Sequence, residues 1–305
     1  MKPTALIRLL RIPHWIKNLI VLLPLIFARR LTEPGAWSHA LLGTLSFCLA
    51  SSFIYVLNDL LDQERDRHHP DKKKRPIATG EVTFRQAVLL MGGLFALLLL
   101  LAPRVGPRFV WVVTSYVGLQ LVYNFLLKRW ILADVISLAI GFVLRAVGGA
   151  VAIDAIISPW LVICTFSICL FLGFGKRSCE QVALGDLSAK NHHRPVLAHY
   201  TTDLLTHLIT LSASIAIVSF LLYATSPRTI TAFGTHLFIF TLPFIFYGVF
   251  RYAMLCMQGA YSGPTEILLR DRPLQLTILL WLAVAVLIIY RGADIESWFA
   301  PCVQR

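Results

Sequence analysis

The chain has 305 residues, of which 57% are hydrophobic and only 14% are charged. Soluble domains are about half apolar and about a quarter charged, so this composition excludes an ordinary soluble globular domain. The formal net charge is +12, but most basic residues lie in loops that flank apolar runs. This placement favours anionic lipids and phosphorylated substrates as partners and argues against nucleic acid.

Apolar runs of membrane-spanning length predict an all-α polytopic membrane protein with about nine helices, forming a single domain over residues 1–305. The predicted helices cover residues 17–31, 36–58, 82–102, 109–127, 131–153, 158–175, 204–225, 232–256 and 274–291. The first is short and carries Pro24, so we expect it to enter the bilayer obliquely. The sequence leaves the oligomeric state open, a homo-oligomer included.

The distribution of Lys and Arg predicts the orientation of these helices. With a cytoplasmic N-terminus, the cytoplasmic ends and loops carry 19 basic residues and the opposite side carries seven. By the positive-inside rule, the N-terminus faces the cytoplasm and the C-terminus lies outside. We therefore expect a plasma-membrane (inner-membrane) protein with its acidic motif on the cytoplasmic side.

Three aspartates follow the second predicted helix. Asp59, Asp62 and Asp66 are spaced three and then four residues apart, with Asn58 beside them. On a helix this spacing places them on one face, near a C-terminal end where the macrodipole disfavours anions. Oxygen ligands of this kind suit Mg²⁺ or Mn²⁺, so the motif predicts a metal site that bridges a diphosphate.

A basic segment follows the aspartates and would neutralise a metal-bound phosphate. Its candidate substrate-binding residues are Arg67, Lys72 and Arg75, and Pro70 and Pro76 would stiffen the loop. The alternative is an ordinary positive-inside loop, which fits Lys73 and Lys74 equally well.

Residues 58–80 give the pattern NDxxDxxxDRxHPxKxxRPIAxG, which resembles the UbiA superfamily of intramembrane transferases. The resemblance extends over nearly the whole chain. It implies a UbiA-type helical bundle, Mg²⁺ as cofactor, and Asn58, Asp59, Asp62 and Asp66 as the metal-binding residues.

The second long polar loop distinguishes branches of this superfamily. Members that use a prenyl diphosphate carry a second aspartate-rich motif after the sixth helix, whereas here that place reads Gly175-Lys176-Arg177-Ser178-Cys179-Glu180. A Lys-Arg pair suits direct binding of a phosphate anion. This departure resembles the branch that moves a phosphoribosyl group to decaprenyl phosphate, and it implies phosphoribosyl diphosphate and a polyprenyl phosphate as substrates.

Further residues match that branch and complete the predicted substrate site. They are Lys17, Tyr123, Lys128, Asp134 and Arg145, beside Asn58 and the Lys176-Arg177 pair. Asp134 and Arg145 lie about three helical turns apart within one apolar run, where an ionisable residue is a functional candidate. The alternatives are packing roles for these two and interface anchoring for Lys17 and Lys128.

The sequence thus predicts a Mg²⁺-dependent membrane phosphoribosyltransferase. One alternative is a UbiA-type prenyltransferase that joins a prenyl diphosphate to an aromatic or other small acceptor, with Glu180 and Asp186 supplying a second metal site. Another is a transporter or a non-catalytic lipid-binding protein, against which the intact aspartate motif argues.

Overall fold

The computed structural model describes residues 3–67, 72–184, 197, 199–259, 261 and 263–303. These residues form helices and connecting turns without any β-strand, which confirms the predicted all-α class. The α-helices are α1 (Pro3–Leu10), α2 (Leu23–Phe27), α3 (Pro34–Leu61), α4 (Gln63–Arg67), α5 (Phe84–Val105), α6 (Pro107–Phe125), α7 (Ala133–Ala152), α8 (Pro159–Leu184), α9 (Thr202–Thr225), α10 (Pro227–Phe233), α11 (Leu242–Gln258), α12 (Pro264–Arg270) and α13 (Arg272–Val303).

Among the described residues, seven helices are long and apolar enough to cross a membrane, and a bent pair near the N-terminus raises the number to eight. The seven are α3, α5, α7, α8, α9, α11 with the 3₁₀ turn before it, and α13. Large apolar side chains on outer surfaces are exposed, including Leu89, Trp111 and Leu279. Such surfaces require a lipid environment, so the chain is an integral membrane protein.

The N-terminal segment is broken into pieces. A 3₁₀ helix, Ile12–Leu22, links α1 to α2, and the segment bends by 44° between Leu10 and Ile12. The single predicted helix over 17–31 is therefore a short 3₁₀ and α-helical run that ends at Phe27. Arg11 makes the bend with a left-handed backbone, φ 53° and ψ 46°.

Helix α6 corresponds to the predicted fourth span but is less apolar than the other candidates. Its buried residues include Tyr116, Gln120 and Asn124, which are spaced four residues apart and so form one stripe. Because this polar stripe is buried in protein, a hydropathy test undervalues the helix.

The chain divides into two compact units. The first comprises Met1–Leu25, Leu31–Trp130 and Gly141–Ile157, and the second comprises Ile26–Arg30, Ile131–Ile140 and Ser158–Arg305. In the first unit, the ring of Phe47 packs edge-on against Phe109 and Tyr116. In the second, Phe220 and Phe238 anchor an aromatic core.

Candidate active site

The C-terminal end of α3 positions the first two aspartates of the motif. The helix ends at Leu61, and the Asp62 N–H donates to the Asn58 carbonyl at 2.9 Å. The chain then turns into α4, where the Asp66 N–H donates to the Asp62 carbonyl at 2.9 Å. Asn58 is half-buried on the last turn of α3. The motif therefore spans a helix end and a second short helix, not one continuous helix face.

Asp59 and Asp66 converge on a single cation, the guanidinium of Arg75. Its Nη1 lies 2.9 Å from Asp59 Oδ1 and 2.6 Å from Asp66 Oδ2. Both carboxylates are almost completely buried, while the Arg75 side chain remains 22% exposed. Two buried carboxylates are thus close enough to share one positive centre.

Backbone hydrogen bonds order the turn that follows Arg75. The Thr79 N–H donates to the Arg75 carbonyl at 2.9 Å, and the Val82 N–H donates to the Pro76 carbonyl at 3.0 Å. Ile77 is buried in the first unit's core. The stiffening predicted for Pro76 stays a prediction, and Pro70 lies outside the described residues.

Arg11 supplies a second cation to Asp59. Its Nη2 lies 2.5 Å from Asp59 Oδ1, and its guanidinium stacks 4.7 Å from the centre of the Tyr55 ring. Arg11 is not among the site residues predicted from the sequence, and its partner Asp59 lies 48 residues away in the chain.

The middle aspartate of the motif, Asp62, has a different partner. Asp62 Oδ2 lies 3.2 Å from Lys128 Nζ, so a predicted metal ligand and a predicted substrate ligand form an ion pair. Within the described part of the chain, no group of three or more His, Cys, Asp or Glu side chains is placed to hold a metal. The four-residue metal site that the sequence suggests therefore stays a prediction.

Arg67 and Lys72 are the other residues of this loop that are predicted to bind substrate. Arg67 pairs with the exposed Glu64 one helical turn earlier, and its side chain is itself exposed. Lys72 begins a 3₁₀ turn, Lys72–Lys74, and its side chain lies outside what the structure describes. The roles predicted for these two residues remain untested.

Arg145 lies at the centre of a buried polar network in the first unit. It donates from Nε to Asn18 Oδ1 at 2.7 Å and from Nη2 to the Tyr116 hydroxyl at 2.6 Å. The Tyr116 hydroxyl also contacts Ser51 Oγ at 3.2 Å. The partners of Arg145 are neutral groups, and half-buried Lys17 lies near enough for its charge to interact with that of Arg145. This network fits both a functional charge and a packing role for Arg145, so the substrate-binding role predicted for Arg145 remains untested.

The second unit holds its own buried ionic cluster. Arg177 is fully buried, with Nε 2.9 Å from Asp134 Oδ2 and Nη1 2.5 Å from Glu180 Oε2. The Tyr200 hydroxyl donates to Asp134 Oδ1 at 2.8 Å, and burial together with the Asp134 charge raises the pKa of Tyr200. Lys176 lies 3.6 Å from Glu180 and is partly exposed.

This cluster changes how the predicted Lys-Arg pair is interpreted. The Arg177 charge is already compensated by two carboxylates, so the predicted direct contact with phosphate suits Lys176 better than Arg177. Tyr123 is half-buried on α6 and its predicted role is untested.

Several contacts of the site are absent from the sequence prediction. The Arg177–Glu180 pair has a visible signal, since residues three apart on a helix are neighbours. Asn18, Tyr116 and Tyr200 carry no such signal, because their partners lie 127, 29 and 66 residues away in the chain.

The chain belongs to the UbiA prenyltransferase family, whose sequence model matches residues 19–256. The site described above lies largely within that range, and three of its residues precede it: Arg11, Lys17 and Asn18. This membership confirms the resemblance read from residues 58–80.

Relatives and solved structures agree with this family. The chain is 33% identical to a decaprenyl-phosphate phosphoribosyltransferase of Mycolicibacterium smegmatis, covering 94% of this chain and 93% of that protein. It is 32% identical to the protein of the same name from Corynebacterium glutamicum, covering 94% and 87%. The fold matches a UbiA homolog from Archaeoglobus fulgidus bound to GPP and Mg²⁺, with a TM-score of 0.68, 21% identity, and 93% and 99% of the two chains covered.

Proposed function

We propose that the protein transfers a 5-phosphoribosyl group from 5-phosphoribosyl 1-diphosphate to a polyprenyl phosphate at the cytoplasmic face of the plasma membrane, releasing diphosphate. The choice of donor rests on one observation, the similarity over nearly the whole chain to enzymes named decaprenyl-phosphate phosphoribosyltransferase. The orientation rests on the 19-to-seven distribution of basic residues.

The acidic cluster supports diphosphate chemistry. Asp59 and Asp66 together contact one cation, the guanidinium of Arg75. Carboxylate oxygens are the ligands that Mg²⁺ prefers in proteins. These two residues would hold the ion, with Asp62 and Asn58 as the further ligands predicted from the sequence. Mg²⁺ bound there would offset the charge that develops on the departing diphosphate.

The remaining chemistry follows from the substrates and the cations. An oxygen of the acceptor phosphate forms a bond to the anomeric carbon while the bond from that carbon to diphosphate breaks, and displacement in line inverts the carbon. The acceptor is an anion at neutral pH, so no protein group has to remove a proton. Arg75 and Lys128 lie beside the aspartates and orient and neutralise the phosphates.

A transfer assay with two labelled donors tests the proposal. Purified protein in lipid nanodiscs, with Mg²⁺ and polyprenyl phosphate, should move label from phosphoribosyl diphosphate into the lipid fraction. Label entering from a prenyl diphosphate, supplied with an aromatic acceptor, would favour the prenyltransferase alternative. Transfer from neither donor would contradict both.

A matched pair of variants links the assay to the site. Asp59→Asn removes a buried carboxylate, and we expect it to lower the rate to below about a tenth of wild type because a bridging metal contributes several kcal/mol. Glu64→Gln changes an exposed carboxylate of the same segment and should leave the rate nearly unchanged. Similar rates for the two variants would exclude Asp59 from the site.

A further inference from the structure

Asp59 accepts two guanidinium groups on the same oxygen. Arg11 Nη2 lies 2.5 Å and Arg75 Nη1 lies 2.9 Å from Asp59 Oδ1, and Arg75 Nη1 also contacts Asp66. The two carboxylates and the two guanidiniums balance in charge. Two buried carboxylates are therefore neutralised by the protein's own cations.

A divalent cation bound by Asp59 and Asp66 would share these two carboxylates with the guanidiniums, which already contact Asp59 Oδ1 and Asp66 Oδ2. Metal–oxygen bonds to Mg²⁺ are short, near 2.0–2.1 Å. A metal and Arg75 Nη1 therefore compete for the same two carboxylates. Adding two positive charges to an already balanced site also introduces repulsion, which is strong where little water is present.

Both guanidiniums have room to move away from the carboxylates. The side chains of Arg11 and Arg75 are 19% and 22% exposed, whereas Asp59 is 2% exposed, so the cations lie on the open side of the carboxylate. An anion that arrives with the metal would meet them there. Arginine binds phosphate oxygens through paired N–H donors, which makes a diphosphate the matching ligand.

The backbone at Arg11 supports a role beyond packing. Arg11 holds a left-handed conformation at the bend between α1 and the 3₁₀ helix. A residue of this type persists there only when surrounding contacts hold it, and such strain is concentrated at functional sites. The Arg11 side chain contacts Asp59 and the ring of Tyr55.

We infer that Arg11 and Arg75 are exchangeable counter-cations: they neutralise Asp59 and Asp66 in the metal-free protein, and they turn to the diphosphate when a divalent cation takes their place. This inference rests on the magnesium site of the proposed function. It makes Arg11 a substrate-binding residue, and it couples metal binding to diphosphate binding.

Two binding titrations on the purified full-length protein test the exchange. Free Mn²⁺, measured by electron paramagnetic resonance without any substrate, should bind Arg11→Gln and Arg75→Gln about tenfold to hundredfold more tightly than wild type, because a competing charged hydrogen bond is lost. Inorganic pyrophosphate should bind the Mn²⁺-saturated variants more weakly by a similar factor. A purely structural role would not move the two affinities in opposite directions.

Arg8→Gln is the matched control. Arg8 lies on α1 and forms an ion pair with Glu81, and its side chain is half-exposed. Removing it subtracts the same charge without touching the aspartates, so both affinities should stay within about twofold of wild type. Circular dichroism verifies folding, and Arg11→Lys and Arg75→Lys provide variants that keep the charge if the Gln variants unfold; their affinities should fall between wild type and Gln.

Unchanged or weaker Mn²⁺ binding in both arginine variants would overturn the exchange, as would unchanged pyrophosphate binding or a wild-type protein that binds no Mn²⁺. Neither titration contains a ribosyl donor or a lipid acceptor. A protein that fails the transfer assay can therefore still pass this test, so failure of the exchange is distinguishable from failure of the proposed transfer reaction.

Discussion

Arg177 illustrates how burial assigns a role to a single residue. Its guanidinium is fully buried between Asp134 and Glu180, while the neighbouring Lys176 is partly exposed. Removing one partner of a buried ion pair leaves the other charge uncompensated, which is far more costly than losing an exposed pair. Adjacent cations in the sequence thus face opposite energetic constraints.

Arg177→Ala should therefore lower the free energy of unfolding by about 3–5 kcal/mol. Lys176→Ala should change it by no more than about 1 kcal/mol but raise the KM for one phosphorylated substrate, because the phosphate loses a charge-assisted contact. Thermal unfolding in detergent and steady-state kinetics measure the two effects. A stable but inactive Arg177→Ala protein would return Arg177 to the phosphate site that the sequence suggests.

Gly149 allows α7 to lie close to the 3₁₀ helix Ile12–Leu22. A Cβ built there would lie 2.1 Å from the carbonyl oxygen of Val21, which belongs to the 3₁₀ helix Ile12–Leu22. Small residues of this kind allow backbones to approach in membrane proteins. Gly92 and Gly93 of α5 have no atoms within 4 Å of the same position, so they do not serve this purpose.

Gly149→Ala should destabilise the protein by roughly 1–3 kcal/mol, because the backbone of Val21 cannot move aside as a flexible side chain would. Gly92→Ala is the control and should be neutral or stabilising by up to about 1 kcal/mol, since alanine favours the helix. Unfolding midpoints of the two variants, measured side by side, decide the question. Equal midpoints would mean that the 3₁₀ helix shifts freely.

The number of spans is a property of the whole molecule. In the part of the chain that the structure describes, seven helices and one bent pair are long and apolar enough to cross a membrane, and α6 would be the ninth span. Its 19 residues extend about 28 Å, close to the roughly 30 Å of the hydrocarbon core. We propose that α6 crosses the bilayer with Tyr116, Gln120 and Asn124 shielded by protein, which makes the total odd.

An odd number of membrane spans between them would place Thr4 and Ser297 on opposite sides of the membrane. In a background that lacks Cys302, Thr4→Cys should react with an impermeant maleimide only from the cytoplasmic side, and Ser297→Cys only from outside. Both positions are exposed, as is Asp203, whose Cys variant should report the same side as Thr4. Labelling of Thr4→Cys and Ser297→Cys from one side would contradict the nine-span topology.

The sequence by itself determined the helical membrane class and the position of the acidic motif, because apolar run length and i, i+3 and i+4 spacing are local properties of the chain. It also indicated that Asp134 and Arg145 are unusual, since a charge within an apolar run is costly wherever it lies. The predicted fourth helix, 109–127, corresponds to α6, because the length of an apolar run is also a local property of the chain.

Only the tertiary structure decided which charges meet. Asp59 and Asp66 share Arg75, Asp62 pairs with Lys128, and Arg11 reaches Asp59 across 48 residues of chain. A single continuous helix would have kept the three aspartates on one face, but α3 ends at Leu61 and the chain turns. Pairings of this kind depend on long-range packing and on the burial of each charge, and neither is encoded in local spacing.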